Sequence, residues 1–352
     1  MNYIKIILIS FYLFNIIISL NLNITSKNFP LFYIQIGELK NSIPSVLTTE
    51  TDKLIMVGNP HPYSYMPNKS STSKKISDDK LSEQYSFVSK TLKFENELYQ
   101  DNICLTNDKQ NITFNFEYVN DNRLSRLLSF PYLSFFGIGR LNKDDKYNLN
   151  IINQLKNANV IENKILYFEG EWKNRKIVLG YTEKFSYSIE CSYKNLDKRS
   201  CLVSDLEIDE NKYELNTSVE FIYNNYLYHV FPEKFKKYFD DALKSKNCVW
   251  IRFNHYPMYA CDNIQSLPDI YLTINEKQVN FKNILFGETV KVNPFLKIMF
   301  KKDIDYIQLS IPILNEKNVV VVFDDDEEKL YLDFKNKKDL FIGFFGFIFK
   351  IE

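Results

Sequence analysis

Residues 135–168 begin with Phe135-Phe136-Gly137-Ile138-Gly139 and end with Ile161-Glu162-Asn163-Lys164-Ile165-Leu166-Tyr167-Phe168. Between these two runs, Tyr147 to Asn159 places apolar residues at the spacing of one helix face, which predicts an amphipathic helix. The closing residues are mostly aliphatic or aromatic, which predicts a β-strand over Lys164 to Phe168. The stretch therefore predicts a helix that leads directly into a strand.

Most of the remaining chain consists of short apolar runs separated by Asn, Asp and Lys. One segment, Glu233 to Ser245, predicts a second helix because it follows Pro232 and has one apolar face. The other runs predict strands, and a mainly β protein follows. Five of these predicted strands are Phe32 to Ile36, Thr113 to Tyr118, Ile177 to Tyr181, Ile270 to Ile274 and Val319 to Phe323.

The composition indicates a globular protein with a large core. The chain has 352 residues, of which 45% are apolar and 16% are aromatic, and this length predicts two domains or one large two-lobed domain. Lys and Arg total 44, as do Asp and Glu, so the formal net charge is zero. A balanced charge provides no electrostatic footprint for nucleic acid, and we predict no nucleic-acid partner.

The N-terminus has the pattern of a secretory signal peptide. Lys5 provides a positive charge, and Ile6 to Leu20 is a nearly unbroken apolar run. We predict a signal peptide over residues 1–22 and a secreted or extracellular protein. The cleavage pattern at Ser19-Leu20-Asn21 is poor, and the alternative is an uncleaved segment that tethers the protein to a membrane.

Five cysteines fit an oxidising compartment. Cys191 and Cys201 are close enough in sequence to close a short loop, as are Cys248 and Cys261, and we predict these two disulfides. Cys104 is then left over, and we expect it to be a buried thiol. Four asparagines stand in glycosylation sequons, which suits a secreted glycoprotein: Asn23, Asn68, Asn111 and Asn216.

The order of several motifs resembles the pepsin-like aspartic proteases. The run Phe32-Tyr33-Ile34-Gln35-Ile36-Gly37 resembles the family's first strand, and Phe135 to Gly139 resembles its Gly-Ile-x-Gly-Leu-Gly segment. The predicted helix and strand after Gly139 also follow the family's order. Three later passages match as well, namely Val230-Phe231-Pro232, Cys261-Asp262 with Leu267-Pro268, and Val320 to Asp324 with Leu330 to Phe334.

This resemblance covers residues 31 to 335. It implies a mainly β, bilobal pepsin-like fold, with a cleft between two β-rich lobes and a few short helices. The N-terminal lobe would span residues 23–183, after the signal peptide, and the C-terminal lobe residues 184–352.

Members of that family carry one Asp-Thr/Ser-Gly turn in each lobe, and the two carboxylates share a proton across a water molecule. In this chain the aligned positions read Thr48-Thr49-Glu50 and Tyr223-Asn224-Asn225. Neither turn supplies a carboxylate at the catalytic position, and both glycines are replaced. The resemblance therefore implies a catalytically inactive homologue that binds a peptide or protein partner in the cleft.

Two alternatives follow from the same turns. If the first turn is Glu50-Thr51-Asp52, Glu50 supplies one carboxylate, and the protein is an aspartic endopeptidase with an altered active site. If Tyr223 and Tyr226 pack into the cleft, the protein is a structural secretory protein. Tyr85 is the candidate for the family's flap tyrosine, although no glycine follows it in Ser86 to Ser89.

Other site chemistries find no support in the sequence. His61, His229 and His255 lie far apart and show no metal-ligand spacing, and we expect His229 to be a packed imidazole. No phosphate-binding or nucleophile motif occurs, so we predict neither a metal nor a cofactor. The acidic run Asp324 to Glu328 is predicted to be a solvated turn rather than a calcium site.

Two segments lie outside these motifs. Asn68 to Glu83 is rich in Ser, Lys and Asp, which predicts a solvated loop. The apolar tail Leu340 to Phe349 is too short to cross a bilayer as a helix. We predict that it adds a strand to the sheet between the lobes, and the alternative is an aromatic patch that contacts a partner or a lipid surface.

Overall fold

A computed structural model describes residues 19–22, 31–37, 41–58, 64–87, 90–105, 111–120, 134–140, 144–170, 175–196, 198–223, 228–253, 256–261, 267–289, 292–296 and 298–335. Several predictions fall on residues outside these ranges, and they stay predictions. They concern residues 1–18 of the signal segment, the tail Leu340–Phe349, Asn23, His61, Asn224, Asn225, Tyr226 and His255.

The described part of the first half of the chain contains ten strands, one α-helix and a 3-10 turn at Pro67–Lys69. In chain order they are β1 (Leu20–Asn21), β2 (Leu31–Ile36), β3 (Asn41–Thr48), β4 (Leu54–Val57), β5 (Lys74–Phe87), β6 (Lys90–Cys104), β7 (Ile112–Val119), β8 (Ser134–Gly137), α1 (Ile151–Asn157), β9 (Ile165–Glu169) and β10 (Lys176–Leu179).

The described part of the second half contains fourteen strands, three α-helices and a 3-10 turn at Glu233–Phe235. In chain order they are β11 (Ile189–Ser192), β12 (Ser200–Ile208), β13 (Asn211–Ile222), β14 (His229–Pro232), α2 (Lys236–Lys244), β15 (Cys248–Phe253), β16 (Tyr256–Cys261), β17 (Ile270–Ile274), β18 (Lys277–Asn280), α3 (Lys282–Leu285), β19 (Phe286–Thr289), β20 (Val292–Leu296), β21 (Ile298–Lys301), β22 (Ile307–Ser310), α4 (Ile311–Glu316), β23 (Val319–Asp324) and β24 (Lys329–Phe334).

The protein is mainly β, as the sequence predicts. One seven-stranded sheet has the order β2-β3-β8-β4-β7-β6-β5, and a further pairing of β2 with β6 closes it on itself. A second seven-stranded sheet has the order β18-β17-β12-β13-β22-β14-β21. A four-stranded sheet, β15-β16-β20-β19, and a six-stranded sheet complete the described strands.

The two halves repeat one strand arrangement. In the first half, β3 is parallel to β8, β8 is antiparallel to β4, and β4 is parallel to β7. In the second half, β13 is parallel to β22, β22 is antiparallel to β14, and β14 is parallel to β21. A helix and a hairpin follow each set, α1 with β9–β10 and α4 with β23–β24. The same topology therefore occurs twice along the chain.

The six-stranded sheet joins the two halves. Its order is β1-β10-β9-β23-β24-β11, so the two hairpins lie side by side and the first strand of each half lies at an edge. The central pair is β9 with β23, which are antiparallel with Phe168 opposite Val321. All six residues of β23 are buried, which agrees with a strand that is covered on both faces.

Both predicted helices are confirmed, with shorter bounds. Asn150 caps α1, because its side-chain oxygen accepts a hydrogen bond from the backbone N–H of Asn153. The helix ends before Asn159, whose φ of +56° is left-handed. In α2, Phe239 and Leu243 form the buried face that the sequence pattern predicts.

The six predicted strands are confirmed within two residues at their ends, whereas the predicted loop over Asn68 to Glu83 is wrong. Most of that segment is β5, which pairs antiparallel with β6 from Lys74 to Phe87. The side chains of residues 74–81 are exposed or half-buried, so their polar composition suits a solvated hairpin. Backbone hydrogen bonds to β6 stabilise the strand, and amino-acid composition does not reveal such bonds.

Both predicted disulfides are present, and they are consistent with an extracellular or secretory environment. Cys191 and Cys201 lie 5.5 Å apart at Cα, and Cys248 and Cys261 lie 4.1 Å apart. Cys104 is buried and takes part in neither disulfide. Among the described residues, no helix is long and apolar enough to cross a membrane.

Gly137, the last residue of β8, lies very close to the backbone of the residues that lead into β4. Gly137 lies opposite Thr48, and its N–H donates to the carbonyl oxygen of Lys53 at 3.0 Å. A Cβ atom at Gly137 would lie 2.5 Å from the carbonyl oxygen of Thr51 and 2.6 Å from that of Lys53. Both are backbone atoms, so a side chain here forces the strands apart.

We predict that Gly137→Ala lowers the free energy of unfolding by about 1–3 kcal/mol, because the added methyl group overpacks the strand contact. Ser42→Ala, at an exposed position of β3, is the control and should change it by less than about 0.5 kcal/mol. Urea titrations of the two variants measure the difference. Equal stability of both variants would contradict the close approach.

Candidate functional site

The first candidate turn follows β3. Thr48 is buried and ends the strand, and its Oγ1 accepts a hydrogen bond from the N–H of Glu50 at 3.1 Å. This local bond bends the backbone, as threonine hydroxyls do in turns. Thr49 is half-buried and Glu50 is exposed.

The segment after β8 holds this turn through its backbone. The N–H of Ile138 donates to the carbonyl oxygen of Thr48 at 2.8 Å, and the N–H of Gly139 donates to that of Thr51 at 2.7 Å. A Cβ atom at Gly139 would lie 2.7 Å from the carbonyl oxygen of Thr51. The glycine therefore permits the tight contact that fixes the turn.

The second candidate turn follows β13. This strand ends at Ile222, and Tyr223 is the last described residue before residue 228. The next strand, β14, begins with His229, whose Nδ1 accepts a hydrogen bond from the N–H of Ser310 at 3.1 Å. His229 is fully buried, as the sequence predicts for a packed imidazole.

The structure brings the two turns together through Thr49 and Tyr223. The N–H of Thr49 donates to the carbonyl oxygen of Tyr223 at 2.9 Å. In return, the N–H of Tyr223 donates to Oγ1 of Thr49 at 2.8 Å. The two residues are 174 positions apart, so this reciprocal pair links the two halves directly.

Strand register shows which residues of the two turns are equivalent. Thr48 lies opposite Gly137 in the β3–β8 pair, and Ile222 lies opposite Ser310 in the β13–β22 pair. Thr48 therefore corresponds to Ile222, and Thr49 corresponds to Tyr223. The sequence alignment, which counts back from Pro232, instead matches Thr48 to Tyr223, the residue after Ile222. Under either register neither position carries a carboxylate.

The Tyr223 ring is packed on the six-stranded sheet. It is fully buried, and it stacks on Phe168 of β9 with ring centroids 5.4 Å apart. Nη1 of Arg175, the residue before β10, lies 3.5 Å from the phenol oxygen. Burial raises the pKa of Tyr223 to about 12, although Arg175 acts in the opposite direction. The phenol is therefore neutral at physiological pH.

The acidic side chains nearest the turns are positioned separately. Glu50 is exposed, whereas Asp52 is buried and accepts a hydrogen bond from the side-chain amide of Asn150 at 3.1 Å. Near the second turn, Glu220 pairs with Lys198 at 3.2 Å. The described residues therefore provide no facing pair of carboxylates across Thr49 and Tyr223.

The hairpin β5–β6 carries the flap candidate. The backbone of Tyr85 lies in β5 opposite Leu92 of β6, two residue pairs before the last pair of the ladder, Phe87 with Lys90. Its side chain lies outside the described part of the structure. The assignment of Tyr85 as a flap residue stays a prediction.

The acidic run Asp324 to Glu328 forms the predicted turn between β23 and β24, with Asp326 and Glu327 exposed, but it is only partly solvated. Asp324 and Asp325 are buried, and Arg199 forms an ion pair with Asp325 in which both side chains are only 3% exposed. Across the described ranges, no group of three or more His, Cys, Asp or Glu residues could hold a metal ion. The burial of Asp325 was not predicted because its partner Arg199 lies 126 residues away in sequence.

A cavity of about 550 Å³ lies beside the first turn. Asp52 and Lys53 line it, together with residues 79–81 of β5 and residues 144–147. The Asp145 carboxylate, which also lines it, accepts hydrogen bonds from the N–H groups of Leu149 and Asn150 at 2.7 and 2.8 Å. Both acidic and basic side chains line the cavity, and we assign no ligand to it.

Sequence reasoning missed three side chains that act on the two turns. Phe168 and Arg175 contact the Tyr223 ring, and Arg199 binds the carbonyl oxygens of Ile138 and Gly139. Only Arg199 had a local signal, because it stands two residues before Cys201 of a predicted disulfide. The other two contacts depend on strand pairing between distant segments.

Comparison with known proteins adds no relative. No protein-family model matches the chain, and no curated protein matches it at a significant level.

We predict that Thr49→Val destabilises the protein by about 1–3 kcal/mol, because the buried N–H of Tyr223 loses its acceptor. Thr49→Ser retains the hydroxyl and is the matched control, with a loss of less than about 1 kcal/mol. Denaturant unfolding of both variants provides the comparison. If Val and Ser are equally tolerated, the hydroxyl does not join the turns.

We predict that Tyr223 makes the protein sensitive to alkali. Its phenol has a pKa of about 12 in the folded chain and 10.0 as the ordinary value. Ionisation therefore favours the unfolded chain as the pH rises from 10 towards 12. Over that interval the wild type should lose about 2–3 kcal/mol more stability than Tyr223→Phe. Urea titration at each pH measures the free energy of unfolding. If it falls equally in both proteins, the phenol is not buried.

Proposed function

We propose that this protein is a secreted, catalytically inactive homologue of the pepsin-like aspartic proteases. In this proposal it has two lobes, and a cleft between them binds an extended peptide or a segment of a partner protein. Main-chain hydrogen bonds hold such a peptide, so binding can persist without the catalytic carboxylates.

The repeated topology supports the bilobal part of this proposal. The strand set β3, β4, β7 and β8 recurs as β13, β14, β21 and β22, and the hairpins of both halves meet in one sheet. This is what a fold with one catalytic turn per lobe requires. The match of motif order over residues 31 to 335 supports the same family.

The observation that carries the proposal is the reciprocal contact of Thr49 with Tyr223. It joins equivalent positions of the two halves, as the resemblance expects of the paired turns. The residues before them, Thr48 and Ile222, are a hydroxyl and an aliphatic residue. Neither can take part in the proton sharing on which aspartic proteolysis depends.

The alternative of an altered endopeptidase rests on Glu50. Its exposed side chain offers a single carboxylate, and a single carboxylate lacks the close partner that sets the two pKa values apart. The described residues of the second turn supply no such partner. We therefore favour a binding protein over an enzyme.

The alternative of a filled cleft rests on Tyr223. Its ring packs against Phe168 of the six-stranded sheet, so it occupies space on the sheet side of the turns. Burial of this ring is compatible with an open groove on the other side. We therefore retain the binding function as the main proposal.

Secretion and glycosylation belong to the same proposal. Asn68, Asn111 and Asn216 are exposed, as acceptor asparagines must be. Leu20 and Asn21 form β1, which pairs with β10. If the mature protein keeps this strand, signal cleavage occurs before Leu20, earlier than the predicted boundary after residue 22.

We predict that purified full-length protein does not cleave a mixed peptide library at acid pH in a manner that an aspartic-protease inhibitor blocks. The Glu50→Gln variant is the matched control, because it removes only the remaining carboxylate. Mass spectrometry of the library detects products. Inhibitor-sensitive cleavage by the wild type, lost in Glu50→Gln, would overturn the inactive assignment and support the altered endopeptidase.

The same library tests the binding function. Peptides retained by the immobilised protein should slow hydrogen exchange in the segment 48–53 and in β5–β6, which would border the cleft. Retention of no peptide would refute the binding proposal and favour the filled cleft.

A further inference from the structure

A buried ion pair fixes the tip of the hairpin β23–β24. Nε of Arg199 donates to Oδ1 of Asp325 at 2.8 Å, and Nη2 also bonds Oδ2. This two-point contact has the geometry in which guanidinium and carboxylate groups bind most specifically. Removing one partner from a buried pair of this kind strongly destabilises a protein, because the other charge is left buried and unpaired.

The same guanidinium reaches across to the first half. Its Nη1 donates to the carbonyl oxygen of Ile138, and its Nη2 donates to that of Gly139 at 3.1 Å. The N–H groups of Ile138 and Gly139 are the ones that donate to the first turn. One side chain from the second half therefore holds the segment that holds the first turn.

A second side chain supports the ion pair. The hydroxyl of Tyr193 lies 2.7 Å from Oδ1 of Asp325 and 3.0 Å from the carbonyl oxygen of Asp324. Burial raises the pKa of Tyr193 above its ordinary value, and the negative charge of Asp325 raises it further. The hydroxyl therefore stays protonated and can act as a donor.

Both side chains stand in the loop that the Cys191–Cys201 disulfide closes. Tyr193 follows the first cysteine by two positions, and Arg199 precedes the second by two. The disulfide joins the two ends of this loop, which limits the conformations that the loop can adopt. It thereby keeps both groups on Asp325.

We propose that the Cys191–Cys201 disulfide, together with Tyr193 and Arg199, is a clamp through which the second half holds the first turn in register with the second. The effect of the disulfide on the first turn passes through Arg199 to Ile138 and Gly139. This inference rests on these contacts and is independent of whether the protein binds a peptide.

The other disulfide provides a matched control. Cys248 and Cys261 are directly opposed in the hairpin β15–β16, within the four-stranded sheet. Cys248→Ser with Cys261→Ser removes a disulfide of similar loop length, 13 residues of separation against 10. It leaves the contacts of Arg199 in place.

The test is hydrogen exchange of the full chain, read by mass spectrometry on peptides that cover residues 134–140. Cys191→Ser with Cys201→Ser, and separately Arg199→Lys, should speed exchange of the Ile138 and Gly139 amides by about tenfold or more. The Cys248→Ser with Cys261→Ser control should leave these amides within about twofold of the wild type.

Equal acceleration by both disulfide variants would mean general destabilisation and would overturn the clamp. Unchanged exchange in all variants would do the same. If Arg199→Lys does not fold, Tyr193→Phe replaces it, because it removes one hydroxyl and keeps the ring. That variant should still speed exchange at residues 138 and 139 more than the control does.

Discussion

The reciprocal hydrogen bonds between Thr49 and Tyr223 fix how the two halves of the chain meet. Each half delivers one strand, β3 or β13, to the same place, and each strand runs parallel to a partner, β8 or β22. Because both N–H groups are used in the pair, neither turn can shift along the other without leaving a buried donor unsatisfied. The six-stranded sheet, with Phe168 beneath the Tyr223 ring, supports the pair from one side.

The two turns are joined through Thr49 and Tyr223 without a pair of carboxylates among the described residues. Proton sharing needs two carboxylates close enough that only one can ionise. The residues Thr48, Thr49 and Ile222 hold no titratable group, and Tyr223 is a neutral phenol in the folded chain. The contacts between the two halves therefore need no carboxylate at the turns. Our proposal of a binding protein requires this independence.

Sequence reasoning predicted two of the four described α-helices, six of the strands and both disulfides, because each of these has a local pattern of spacing, polarity or cysteine separation. It placed β5 in a loop, since polar composition conceals a strand whose stability comes from backbone pairing with β6. No glycine marks the second turn in the sequence, and the register of Ile222 with Ser310 aligns the two turns one residue differently from the count back from Pro232. The Arg199–Asp325 pair could not be predicted, because its partners come together only in the folded chain.

The most direct test of the paired, carboxylate-free turns is a crystal structure of the purified protein grown at acid pH. We expect Oγ1 of Thr49 to lie within hydrogen-bond distance of the backbone nitrogen of Tyr223, with no two carboxylates within about 4–6 Å of each other at the turns. A structure in which Glu50 faces a second carboxylate across the turns would contradict it.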